Sequence, residues 1–188
     1  MPVTSSAQLT ERLTVFEQAA TYALETLASV STTDLGRPTP CEDWNVRDVV
    51  LHLADVADAV IDLTRTGELV MPTPRSVGTP DPVTVAHQRI GALHDTLTSL
   101  AARSEHIDLL LGAAQGGANE LAAHGWDITT ALGTSRPIPD STATALLALV
   151  DGHLDDAARG TNFAPAAPIS STAMPSDRFV AYLGRRPH

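Results

Sequence analysis

Apolar residues recur along most of the chain at intervals of three and four, the spacing that gathers them on one face of an α-helix. Between Ser5 and Val30 they are Leu9, Leu13, Phe16, Ala20, Tyr22, Ala23, Leu24 and Leu27, separated by Glu11, Arg12, Glu17 and Gln18, and they predict a first amphipathic helix. Ser31 to Pro40 breaks this rhythm with Thr, Asp, Gly and two prolines and is expected to be a loop. A second helix is predicted from Val46 to about Thr66, before Gly67, on Val49, Leu53, Val56, Val60 and Leu63. Asn45, three residues ahead of Asp48, has the form of an N-cap with an acidic residue in the first turn. Pro72, Pro74, Gly78, Pro80 and Pro82 exclude helix or central strand from Leu69 to Pro82, so a long connection is expected there, of a kind often used functionally. Helical spacing resumes from Asp81 to about Ala102 through Val85, Ile90, Leu93, Leu97 and Leu100.

Ile107 to Leu111 is a short apolar run of ambiguous type, and Gly112, Gly116 and Gly117 after it read as a turn or loop. A fourth helix is expected from about Gly117 to Leu132, closed by Gly133 at C′. Gly125 inside it costs about 1 kcal/mol relative to Ala, which close packing against another helix would explain. Pro137 to Asp140 opens a fifth helix with Ala145, Leu146, Leu149, Val150 and Leu154 on its core face. Gly160 to Pro175 reads as an irregular strap, and Ser176 to Leu183 as one short helix. The expected architecture is all-α: a four-helix bundle with up-down connections, extra short helices and a C-terminal strap. With 188 residues, 43% of them hydrophobic, one core suffices, and residues 1–188 are expected to form a single domain.

Composition narrows the function classes. A formal net charge of -10 repels phosphate backbones and anionic membrane surfaces, so neither nucleic acid nor membrane is an expected partner. One cysteine, Cys41, excludes an internal disulfide, and the absence of a signal peptide or a long apolar run fits a reduced cytoplasm. The glycines match no phosphate-binding loop.

The candidate chemistry lies in Glu120-Leu121-Ala122-Ala123-His124-Gly125-Trp126-Asp127. At about 100° per residue, Glu120 and His124 project about 40° apart, beside the apolar stripe of Leu121, Ile128 and Leu132. A carboxylate near a core needs a partner, and a divalent cation shared with His124 would be one. His52, on the apolar stripe of the second helix, is the candidate third ligand. Two imidazoles and one carboxylate are a ligand set of open zinc sites, and nickel or iron would accept the same donors. His87, His94 and His106 have no carboxylate or Cys at a ligand spacing, and His153, with Asp155 and Asp156 nearby, is the reserve ligand. Trp44 reads as a packing anchor at the helix entry, and Cys41, with no Cys or His at a zinc spacing, as structural. A buried polar network without metal would account for the same three residues.

Three blocks carry a family resemblance: Pro38-Thr39-Pro40-Cys41-Glu42-Asp43-Trp44-Asn45-Val46-Arg47-Asp48-Val49-Val50-Leu51-His52-Leu53, the block from Glu120 to Asp127, and Asp177-Arg178-Phe179 with Leu183-Gly184-Arg185. Together they resemble the actinobacterial relatives of mycothiol-dependent maleylpyruvate isomerase, within the DinB/YfiT-like bundle superfamily. The resemblance implies a DinB-like bundle with His52, Glu120 and His124 as metal ligands. It also implies mycothiol as cosubstrate, hence a small-molecule thiol and an electrophile as partners. The isomerase has an additional C-terminal domain that helps hold substrate, so the expectation here is a short form acting as a thiol transferase or isomerase-like enzyme. Arg75 in the proline-rich connection could hold a substrate carboxylate. The alternative is a metal-containing binding or interaction protein without turnover. A homodimer is the assembly left open.

Overall fold

The computed structural model describes residues 5–74, 78, 80–103, 105–134, 136–151, 159 and 163–187. They form helices α1 (Ser5–Leu27), α2 (Val46–Thr66), α3 (Pro82–Ala102), α4 (Ile107–Leu132), α5 (Asp140–Val150) and α6 (Pro175–Tyr182), with no strand among the described residues. The all-α bundle expected from periodicity is the fold observed, and it is consistent with the DinB-like bundle that the family resemblance implies. α1 to α4 share one core through Phe16, Leu27, Leu53, Ile90, Leu110 and Leu121, while α5 and α6 pack on each other beside it. No helix is long and apolar enough to cross a membrane, among the described residues.

Helix ends follow local chemistry. α1 stops at Leu27 rather than Val30, where the backbone bonds tighten to i−3, Ser29 N to Thr26 O at 3.0 Å and Val30 N to Leu27 O at 3.1 Å, and Ser29 Oγ also donates to Thr26 O at 2.6 Å. α2 starts on a complete capping box, with Asp48 N donating to Asn45 Oδ1 at 3.1 Å and Asn45 N to Asp48 Oδ2 at 3.0 Å. Gly67 and Gly133 close α2 and α4 in the left-handed region, at φ 76° and 70°.

Two expectations need correction. The loop expected between Leu111 and Gly117 is helix, and α4 runs unbroken for 26 residues. Burial of Leu110, Ala113 and Ala114 against the other helices outweighs the local cost of three glycines. Gly117 has a packing reason, since a Cβ there would stand 3.0 Å from the Phe16 ring.

The connections are not simply up and down. Phe16 meets Gly117 and Tyr22 meets Gly125, so α1 and α4 run parallel. Asp58 pairs with Arg89, and Thr64 and Arg65 line a cavity with Asp95, Ser99 and Arg103, so α2 and α3 also run parallel. A parallel partner must begin at the end where its predecessor began. Gly67 and Asp81 therefore stand at opposite ends of a 21-residue helix, about 30 Å long, a separation that the chain between them can span at about 3.3 Å per residue. The proline-rich connection is this crossover. α5 ends at Val150, where Asp151 turns to extended backbone, and Leu154, expected on its core face, lies outside the described residues.

Gly125 supplies the test of this packing. A Cβ built on it would stand 2.8 Å from Tyr22 Cε1, whereas one on Gly116 meets nothing within 4 Å. Gly125→Ala should destabilise the protein by roughly 1–3 kcal/mol. Gly116→Ala should stabilise it by up to about 1 kcal/mol, both read from urea unfolding midpoints at constant slope.

Candidate metal centre

Side chains from two helices meet at the α2–α4 interface. His52 lies in the second turn of α2, and Glu120 and His124 lie on successive turns of α4. His52 Nε2 is 3.2 Å from Glu120 Oε2, and His124 Nε2 is 3.3 Å from the same oxygen. One donor atom from each of the three lies within 4.8 Å of the others. Tetrahedral bonds of about 2.0–2.2 Å from nitrogen or oxygen to zinc place ligand atoms roughly 3.3–3.5 Å apart, so the observed separations fit such an ion with little adjustment. The site is open on one side, because Glu120 keeps 33% of its side-chain exposure and His52 23%, against 8% for His124.

Asp127 and Arg185 complete the arrangement. Asp127 is fully buried, and its Oδ2 accepts from His124 Nδ1 at 2.9 Å. Arg185 donates to it twice, from Nη2 to Oδ2 at 2.9 Å and from Nε to Oδ1 at 3.3 Å. A carboxylate on Nδ1 keeps a proton there and fixes the ring with Nε2 toward Glu120, so that Nε2 is the nitrogen left for a cation once its own proton is displaced, the arrangement usual around metal-binding histidines. Gly184, at φ 90°, turns the chain after α6 so that Arg185 reaches back to α4. A Cβ on Gly184 would lie 2.7 Å from Ala164 O, so the strap itself requires glycine there.

The loop before α2 forms a wall of the site. Thr39 ties it with two bonds to Trp44 O, at 3.0 Å from N and 2.9 Å from Oγ1, and Asp43 takes φ 65° to close the turn. This fixes the Trp44 ring 4.8 Å from His52, edge-on, and 5.9 Å from His124, nearly parallel. Trp44 thus anchors the helix entry as expected, and what it packs on is the pair of imidazoles. The same turn brings the half-buried Cys41 beside the site, with its sulfur within 4.8 Å of donor atoms of His124 and Asp127. The reading of Cys41 from its sequence neighbours missed this, because the histidine beside it comes from another helix.

Burial raises the Cys41 thiol pKa, and the Asp127 carboxylate adds to the effect against an opposing Arg185. The thiol is therefore held protonated and is a poor nucleophile. Burial opposes the charge on Glu120, but hydrogen bonds from His124 and His52 outweigh it and hold the carboxyl well below the usual carboxylate range. Burial likewise opposes a charge on His124, and Asp127 and then Glu120 overcome it, raising its pKa to about 9.

Sequence alone missed Asp127, Arg185 and Cys41 as members of this cluster. Asp127 could have been found, being three residues from His124 on the same helix face. Of the other histidines, His94 pairs on the α3 surface with Asp95 at 3.4 Å and Glu17 at 3.8 Å. Neither it, His87 nor His106 joins a ligand group among the described residues. His153 and Arg75 lie outside the described residues.

Fold and site together define an all-α, DinB-like bundle with an inward-facing His–Glu–His cluster. The chain belongs to the family described as the mycothiol maleylpyruvate isomerase N-terminal domain, which it matches over residues 16–129. It is also similar to two Mycobacterium tuberculosis proteins, the uncharacterized proteins MT0763 and Rv0738. Each is 27% identical over 168 residues, covering 85% of this chain and 89% of the relative. No solved structure matches it. The family match includes Cys41, Trp44, His52, Glu120, His124 and Asp127 but not Arg185.

The perturbed groups set a pH dependence for metal-free protein. His124 binds its proton more tightly when folded, so its contribution to stability is complete below about pH 6.5 and is lost as pH rises toward about 9. Glu120 and Asp127, both lowered, contribute fully above about pH 4.5 and lose that contribution on acidification. The melting temperature of chelator-treated protein should therefore be highest between about pH 4.5 and 6.5 and decline toward pH 9. A cation must displace the Nε2 proton, so added zinc should stabilise progressively more over that same rise. Parallel melts with chelator and with zinc check both slopes.

Proposed function

We propose that the chain binds one divalent cation, zinc before nickel or iron, through His52, Glu120 and His124, and serves as a thiol S-transferase with mycothiol as thiol and a small electrophile as acceptor. The observation that carries this reading is the three-donor cluster with an exposed side and, among the described residues, no activated protein nucleophile beside it. A cation held there would supply the Lewis acidity that ionises a coordinating thiol at neutral pH. The remaining work belongs to the chain. His52 and Glu120 form the exposed rim, where a ligand from solvent can enter. Asp127 holds His124 with Nε2 toward that rim. Trp44 packs against both imidazoles and helps fix their orientation. Cys41, kept as a neutral thiol, does not compete for the electrophile.

In the transfer, the carbon–sulfur bond forms as the acceptor's leaving group departs with its electron pair, and the thiol proton goes to solvent. A polar rim fed by an acidic chain of net charge -10 favours acceptors that carry little negative charge.

Protein purified without a metal-affinity tag should contain one equivalent of divalent metal, lost in His52→Ala and in His124→Ala. Saturating mycothiol should shift the visible spectrum of cobalt-substituted protein, and consumption of thiol with a small alkyl halide should follow metal loading. Cys41→Ser should retain both signals. Full metal content in the two histidine variants would end the assignment, and a loaded protein with no spectral response to thiol would leave a metal-containing binding protein without turnover.

Chelation tests the contribution to stability. A cation bound only to the folded state stabilises it by mass action, about 2.7 kcal/mol at a hundredfold excess over Kd, so chelator should lower the melting temperature of wild type. Glu120→Gln should respond less, having lost the charged ligand.

A further inference from the structure

Two sets of ligand atoms overlap at His124. One is His52, Glu120 and His124; the other is Cys41, His124 and Asp127, whose donor atoms also lie within 4.8 Å of one another. Thiol, imidazole and carboxylate make a donor set that zinc, cadmium and cobalt accept readily. The imidazole presents a different nitrogen to each carboxylate: Nε2 faces Glu120 at 3.3 Å, and Nδ1 faces Asp127 at 2.9 Å. The second set is also the more buried, since Asp127 and His124 are both enclosed and Cys41 is half-buried.

What separates the two sets is Arg185. Its Nη2 and Nε cover both oxygens of Asp127, at 2.9 and 3.3 Å, and its Nη1 donates to Leu183 O at 3.4 Å. A cation approaching Asp127 would meet a fixed positive charge already bonded to its intended ligand, in a region where charges are weakly screened. Among the described residues no such guanidinium bonds Glu120, whose bonded neighbours are the two histidines. We propose that Arg185 is a positioning residue that confines a divalent cation to His52, Glu120 and His124, and that Cys41, His124 and Asp127 form a latent thiolate site opened by its removal. The inference rests on the metal-binding part of the reading above and not on thiol transfer.

Cadmium titration of the full chain tests it, read by thiolate-to-cadmium charge-transfer absorption in the ultraviolet and by iodoacetamide labelling of Cys41. Wild type should bind cadmium with no such band and with Cys41 labelled at the same rate as in metal-free protein. Arg185→Met should gain the band, protect Cys41, and lose about 10–100-fold in affinity at the original set, the usual effect of removing an outer partner of a metal ligand. Adding Cys41→Ser should abolish the band, and Arg185→Lys should restore wild-type behaviour. A folded Arg185→Met protein that binds cadmium without the band overturns the proposal. So does cadmium protection of Cys41 in wild type, a measurement that decides the matter even if Arg185→Met does not fold. Wild type that binds no cadmium overturns the metal reading, and this inference falls with it.

Discussion

Two carboxylates and two imidazoles stand together between α2 and α4, and the burial of those charges is the constraint on which the site depends. Asp127 is fully enclosed and His124 nearly so, and an uncompensated charge in either place would cost several kcal/mol. Each group is compensated by the next: Arg185 by Asp127, Asp127 by His124, His124 by Glu120, Glu120 by His52. The chain of partners starts at a buried guanidinium and ends at a half-exposed imidazole. Its open end is where a ligand from solvent can be added with least disturbance.

The rest of the molecule holds this line of groups in register. α4 supplies three of its members because positions 120, 124 and 127 share one face of a helix that stays unbroken from Ile107. Close packing of α1 through Gly117 and Gly125 fixes how deep that helix sits. The left-handed turn at Gly184 and the strap at Ala164 deliver Arg185, while the turn at Asp43 delivers Cys41 and Trp44. Irregular segments thus form the walls, and regular helices present His52, Glu120 and His124, which is the usual division between scaffold and variable loops.

What could be read from sequence follows the same division. His52, Glu120 and His124 were legible because each lies at helical spacing on an apolar stripe, and the structure brings all three together. The bundle and the caps at Asn45 and Gly133 were legible for the same local reason. The first turns of α4 were not, because three glycines in six residues argue for a loop and only the burial of Leu110, Ala113 and Ala114 argues against it. The parallel pairing of α2 with α3 was hidden too, although the length of the 67–81 connection was its signature. Arg185 lies 58 residues from Asp127, and nothing local at either position announces the contact.

The parallel pairs have a consequence for access to the site. Arg89 lies level with Asp58, so Pro82, seven residues earlier on a parallel helix, lies level with about Leu51 and hence near the height of His52. The crossover therefore returns the chain to the end of the bundle that carries the cluster. The loop before α2, the crossover's return and the segment after α6 all converge on that end, and none of them contributes a ligand to the His–Glu–His set. A bundle of this design can change the surroundings of the cluster by altering three irregular segments, while the helix faces that carry His52, Glu120 and His124 stay fixed.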